Sequence, residues 1–154
     1  MRPPAKLHLE NFLPYRLSVL SNTVSSAIAM AYFDHFGLTI PEWRVMAVLA
    51  ANPGLSAAEV TARTAMDKVA VSRAVAALLS AGRLRRTMAK SDRRRTHLEL
   101  TPAGKRVYAR VVPMALNYER HLIAPLSARE RATLDRLLRV LLGRAVELGP
   151  VHAD

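Results

Sequence analysis

The 154-residue chain contains no cysteine. Disulfides, thiolate nucleophiles, thiol redox sensing and cysteine-ligated zinc are thereby excluded. No apolar run approaches the ~18–20 residues that a membrane span needs. Met1-Arg2-Pro3-Pro4 is not followed by the apolar segment of a secretory signal. A cytoplasmic protein with no membrane partner is expected. The phosphate-cradling glycine loop, HExxH and Gly-x-Ser-x-Gly are all missing, so no catalytic residue and no enzyme activity is expected. His8, His35, His97, His121 and His152 are scattered, with no pair at helical ligand spacing. Asp34-His35 is the one place where a zinc ligand would be sought, but a lone histidine is more often a satisfied core or surface group. No metal and no cofactor is expected.

Two further absences are local. None of the eight aromatic residues lies between positions 44 and 107. Acids are almost missing from residues 63–95, where only Asp67 and Asp92 face ten basic side chains. That segment therefore carries +8 of the formal net charge of +11. Such concentration points to a polyanionic partner. Single-stranded nucleic acid is usually held by bases stacked on aromatic rings, and this segment has none. Duplex phosphates with groove contacts are the better match. A small RNA-binding protein and a nonspecific architectural DNA binder remain as alternatives.

What is present is 51% hydrophobic residues in a length that suits one compact domain, residues 1–154. The pattern is mainly helical. Leu17, Leu20, Val24, Ile28 and Ala31 mark one face of a helix over about 13–36, with Pro14 in its first turn and Gly37 after it. Three capping boxes follow, at Thr39–Glu42, Ser56–Glu59 and Ser127–Glu130. They predict helices near 40–51, 57–64 and 128–147. Asp67 is an N-cap for a helix that ends near Ala81. From Gly82 the period changes to two. Leu84, Arg86 and Met88, then Thr96, Leu98 and Leu100, read as a β-hairpin around a polar tip. Thr101-Pro102 opens a long helix that Pro113 should kink. Leu134, Leu137, Leu138, Leu141 and Leu142 give the last helix a broad apolar stripe.

Short helix, turn, helix and basic hairpin make a helix-turn-helix followed by a wing. The second helix suits the major groove, with its first residues towards base edges. Arg73 can pair bidentately with guanine, and Ser72 can bond a phosphate or a base edge. Lys68 and Arg63 can neutralise phosphates. Arg86 and the hairpin tip, with Lys90, Arg93, Arg94 and Arg95, extend the basic surface, and the tip suits a narrow minor groove. Asp92 could instead engage Arg94 or Arg95 to hold the turn.

Asp92-Arg93-Arg94 and then Leu98-Glu99-Leu100-Thr101-Pro102-Ala103-Gly104 resemble the wing and exit signature of MarR-type regulators. Met66–Val75 is similar to their recognition helix. The resemblance covers roughly residues 12–147. It implies a winged helix-turn-helix lobe at 40–100 and dimerisation helices at 7–36 and 102–148. It also implies a homodimer on a pseudo-palindromic operator, acting mostly as a repressor that small molecules release. The apolar terminal regions, Leu7–Pro14 and Ile123–Leu148, independently exceed what one lobe can cover. One departure, Gly82-Arg83-Leu84, places Arg83 where members commonly carry leucine, and reads as an extra phosphate contact.

In the family, aromatic acids bind between the first two helices and the dimerisation helices. Phe12–Asn22 resembles regulators of aromatic-acid catabolism, whose effectors are such acids or their CoA thioesters. By that resemblance Arg16 holds a carboxylate, while Tyr15, Tyr32, Trp43, Arg44 and Tyr118 supply a flat cavity. The alternative is that these aromatics are core and that Arg16 pairs with an acid across a dimer.

Overall fold

A computed structural model describes residues 6–88 and 96–150. The chain divides into two units, residues 1–115 and 116–154. A 3-10 turn at Leu9–Asn11 precedes α1 (Leu13–Phe36), α2 (Ile40–Ala51), α3 (Ala57–Thr64) and α4 (Lys68–Ser80). Strands β1 (Leu84–Met88) and β2 (Thr96–Leu100), then α5 (Pro102–Ile123) and α6 (Ala128–Leu148), complete the order. The expected mainly helical fold with a small hairpin is therefore found, and the bounds differ from expectation by a residue or so. Pro113 lies inside α5, which continues past it to Ile123.

The local chemistry explains the boundaries. All three capping boxes form: the Thr39 hydroxyl accepts the Glu42 N–H, and the Glu42 carboxylate accepts the Thr39 N–H at 2.8 Å. Ser56 with Glu59 and Ser127 with Glu130 repeat the reciprocal pair. Each box satisfies two of the donors that a helix start leaves over. Gly37 stops α1 in the left-handed region at φ +60°, where glycine carries no Cβ penalty.

The core belongs to the first unit. Tyr32 of α1, Leu38, and Val45, Met46 and Leu49 of α2 meet Val60 of α3 and Val71, Ala74, Val75 and Leu78 of α4. Leu84, Leu98, Leu100 and Val111 close it. Burying one such aliphatic side chain is worth about 1.5–3 kcal/mol. The hairpin is antiparallel, with Leu84 opposite Leu100, Arg86 opposite Leu98 and Met88 opposite Thr96. Its root is buried while Arg86 and Met88 are exposed, so the ribbon leaves the core as it runs outward. A third segment joins it: Leu98 N–H donates to the Leu55 carbonyl at 2.8 Å, and Gly54 N–H to the Leu98 carbonyl at 3.1 Å. Alternation could not reveal this bridge, because it spans a single residue pair.

The exit from the hairpin is a tight junction. Thr101 Oγ1 donates to the Gly82 carbonyl at 2.7 Å, and Thr101 N–H donates to the Arg83 carbonyl at 3.0 Å. Thr101 Oγ1 also accepts the Gly104 N–H at 3.1 Å, starting α5. A Cβ on Gly104 would lie 2.1 Å from the Arg83 carbonyl oxygen. Within the Leu-Thr-Pro-Ala-Gly run, Thr101 and Gly104 are thus packing requirements at the wing root.

In the second unit, α6 presents Leu134, Leu137, Leu138 and Leu141 at three- and four-residue steps. None of its described residues is buried.

Candidate nucleic-acid interface

α4 has two faces of different chemistry. Val71, Ala74, Val75 and Leu78 are buried, one helical row against α2 and the rest of the core. Lys68, Val69, Ser72 and Arg73 fall on the opposite side and are exposed. The turn that aims the helix contains Ala65 in the left-handed region at φ +51°. Asp67 then caps α4, its carboxylate accepting the Ala70 N–H at 2.8 Å. The helix therefore presents its N-terminal turn, with its positive end and its basic residues, to solvent.

α3 adds a second wall. Ala57, Ala58 and Thr61 line a notch of about 250 Å³ with Lys68 and Ser72. Sequence reasoning missed Thr61 and the two alanines. The signal available was their spacing: Ala57, Ala58 and Thr61 recur at helical steps on the side away from Val60. Arg63, in the last turn of α3, is exposed, and its guanidinium donates to Asn52 Oδ1 at 3.3 Å. Arg86 stands exposed on β1. Arg63, Lys68, Ser72, Arg73 and Arg86 are thus all on the surface. Lys90, Arg93, Arg94 and Arg95, with Asp92, lie outside the described residues.

Two arginines of the basic segment are committed elsewhere. Arg85 pairs across the hairpin with Glu99, its guanidinium donating to Glu99 Oε2 at 2.9 Å. Arg83 corrects the expectation of a phosphate contact. Its side chain is half-buried and donates to the Phe36 carbonyl at 2.5 Å, at the end of α1.

The six effector candidates separate. Tyr32 is 1% exposed and packs against Trp43 with ring centroids 5.8 Å apart. Trp43 in turn stacks on Tyr108 at 5.5 Å. Burial pushes the Tyr32 hydroxyl up to about 12, against a smaller opposing pull from the Arg44 charge. Arg44 donates to Ser25 Oγ at 3.3 Å. Tyr15 and Arg16 are exposed further along α1 and line an open groove of about 350 Å³ with Val19, Leu20 and Thr23. Arg16 and Tyr32 are sixteen positions apart on that helix, roughly 24 Å at 1.5 Å per residue. Tyr118 belongs to the second unit. Among the described residues no group of three potential metal ligands comes together.

A capped helix pair with a hairpin rooted in the same core is a winged helix-turn-helix. A profile of the MarR family matches residues 36–95, the stretch from the last residue of α1 to just before β2. A MarR-family transcriptional regulator from Silicibacter pomeroyi has a similar structure, with a TM-score of 0.77 and 25% identity, covering 99% of this chain and 100% of that one. The chain has the winged helix-turn-helix fold of MarR-family regulators and is similar to that family over residues 36–95. The family's members are transcriptional regulators and not enzymes. A protein named as a transcriptional regulator for the hcr operon of Thauera aromatica is 32% identical over 105 residues. That match takes in 68% of this chain and spans 63% of the relative's length. The PcaV regulator of Streptomyces coelicolor, solved with its natural ligand, is 26% identical, with a TM-score of 0.70 over 90% of this chain and 97% of that one.

Proposed function

We propose that the protein is a homodimeric transcriptional regulator that binds a pseudo-palindromic DNA duplex and represses by occupying it. The observation that carries this reading is α4, buried along Val71, Ala74, Val75 and Leu78 and exposing Lys68, Ser72 and Arg73 at its capped N-terminus. Arg73 reads a base and Ser72 a base edge or phosphate. Lys68, Arg63 and Arg86 neutralise phosphates, and Lys90, Arg93, Arg94 and Arg95 carry the wing into the minor groove.

The functional division is a lobe at 40–100 with dimerisation helices at 7–36 and 102–148. Support for a second copy comes from uncovered apolar side chains at both ends. Leu7, Leu9, Leu13, Leu17 and Leu20 are exposed near the start, and Leu134, Leu137, Leu138 and Leu141 near the end. An amphipathic helix gains most of its stability from packing that face. Among the described residues no helix is long and apolar enough to cross a membrane, which fits action on DNA in the cytoplasm.

Release by a small aromatic acid or its CoA thioester completes the reading; it rests on the resemblance of Phe12–Asn22, and the relative solved with its natural ligand supports ligand binding in general. The separation of Arg16 from Tyr32 along α1 sets a condition on it. One small ligand touches both only if the two residues come from different chains, so the pocket is shared between protomers.

Fluorescence anisotropy with a duplex selected by the protein from a randomised pool, and with random duplex, across a salt series, tests the DNA reading. A preference for the selected duplex and a steep fall of affinity with salt are expected. Equal affinity for both at every salt concentration overturns sequence-specific regulation. Calorimetry with benzoates, cinnamates and their thioesters tests the effector, and the absence of both heat and DNA release overturns it.

A further inference from the structure

The end of α1 is held from two sides. A helix leaves its last carbonyls without intrahelical donors, and Phe36 supplies one of them. Arg83 Nη2 donates to that oxygen at 2.5 Å. Arg110 of α5 lies 4.9 Å over the Phe36 ring, within the range of a cation–π contact. A cation there also opposes the negative pole of the helix.

Arg83 is itself pinned where three elements meet. Its N–H donates to the Leu78 carbonyl of α4 at 2.9 Å, and its carbonyl accepts the Thr101 N–H at the start of α5. Gly104 packs so closely on that carbonyl that no Cβ fits. Its side chain then reaches back 47 positions in sequence to α1. Arg83 thus joins the wing root to the first helix.

We propose that Arg83 is a positioning residue that fixes the angle between the DNA-binding lobe and α1, and so registers the two lobes of a dimer on a full duplex site. This rests on the dimeric reading above. A single lobe on a half-site does not sense that angle. Two lobes joined through α1 do, because their recognition helices must match the duplex repeat. Loss of the brace lowers the effective concentration of the second lobe and leaves each half-site contact intact.

Two variants test the idea in the full chain. Arg83→Met keeps the aliphatic stem without the donors, and Arg83→Lys keeps a charge and a donor. In the free protein, hydrogen exchange of the Gly37 and Leu38 amides is expected to rise about tenfold in Arg83→Met and to recover partly in Arg83→Lys. Unchanged exchange overturns the brace, with no reference to DNA. On a duplex selected by the wild type, Arg83→Met is expected to lose tenfold or more. On the same duplex with one half scrambled it is expected to lose less than twofold, with the salt dependence unaltered. Equal losses on both duplexes, or a salt slope shallower by about one, return Arg83 to a phosphate contact and overturn the proposal. A wild type that gains nothing from the second half-site overturns the dimeric reading and the registering role together, while the exchange result still decides the brace.

Discussion

The lobe and the terminal helices are built to opposite degrees of completion within one chain. α3 has eight residues and buries Val60 and Thr64; α4 has thirteen and buries four. α6 has twenty-one, rich in leucine, and buries none of those described. α1 has twenty-four and buries only Tyr32. Apolar content does not account for this, since the leucines of α6 repeat as regularly as the valines of α4. The lobe finds its partners in its own chain, from α2 and the wing root. The terminal helices carry stripes made for partners that the lobe does not supply. If the proposed roles hold, DNA reading and assembly fall on separate surfaces, which variants can break one at a time.

The largest effect comes from striking the unfinished region. Leu137→Glu with Leu141→Glu puts two charges in the α6 stripe, far from α4 in sequence. Sedimentation equilibrium is expected to show a monomer, and affinity for a selected full duplex to fall about 100-fold or more as the second lobe is lost. Circular dichroism should still report a folded lobe. A double variant that stays dimeric and binds normally refutes the assignment of this stripe to the dimer.

The next effect strikes the finished region at its tightest point. Gly104→Ala forces a Cβ to within 2.1 Å of the Arg83 carbonyl, a backbone atom that cannot swing away. Overpacking of this kind costs about 1–3 kcal/mol, and the upper end is expected here. Urea unfolding measures it through a lower midpoint. A variant as stable as the wild type would mean that the wing root yields easily, and the contrast between a rigid lobe and open ends would weaken.

Arg73→Ala separates reading from folding inside the lobe. Arg73 is exposed on the side of α4 opposite the buried row, so thermal stability is expected to hold. Affinity should drop by about 1–3 kcal/mol, with preference relaxed at one base position. Retained specificity in a binding-site selection would show that the reading side chain lies elsewhere on α4.

Much of this organisation is legible in the sequence, for reasons that vary by element. The capping boxes at Thr39, Ser56 and Ser127 announce their helices because the chemistry is local, within four residues. The apolar step of α4 and the alternation at Leu84 and Leu98 come through because a single core imposes one period on each. Arg83 was misread because a guanidinium can face outward or turn in, and its acceptor, the Phe36 carbonyl, is 47 positions away. The Leu55 bridge left no pattern because it is a single backbone pair with Leu98, too short to impose alternation. The aromatic residues divide similarly: packing of α1, α2 and α5 brings Tyr32, Trp43 and Tyr108 together, and no spacing rule could say that Arg16 lines a different groove.

The smallest prediction sets identical chemistry in the two regions side by side. Glu59 accepts the N–H and the hydroxyl of Ser56, each at 2.8 Å, and Glu130 accepts those of Ser127 at 2.7 Å. These bonds hold both carboxyls below their ordinary value of 4.5, the backbone bond being the larger cause for Glu59 and the side-chain bond for Glu130. A carboxyl depressed in the folded state stabilises fully above its unfolded value, and that share is lost as pH falls through the folded one. Wild-type stability should therefore decline on acidification below about pH 4.5, while Glu59→Gln and Glu130→Gln lose part of that dependence. Both side chains are exposed, so the shift in thermal midpoint is small. Hydrogen exchange near each cap reads where it is felt. In Glu59→Gln the loss should spread through the lobe, because α3 is tied to the core by Val60. In Glu130→Gln it should stay in the first turn of α6, provided the dimer holds the remainder. Spreading in both would mean that the terminal helices are as cooperative as the lobe, and confinement in both would mean that α3 frays independently of its core.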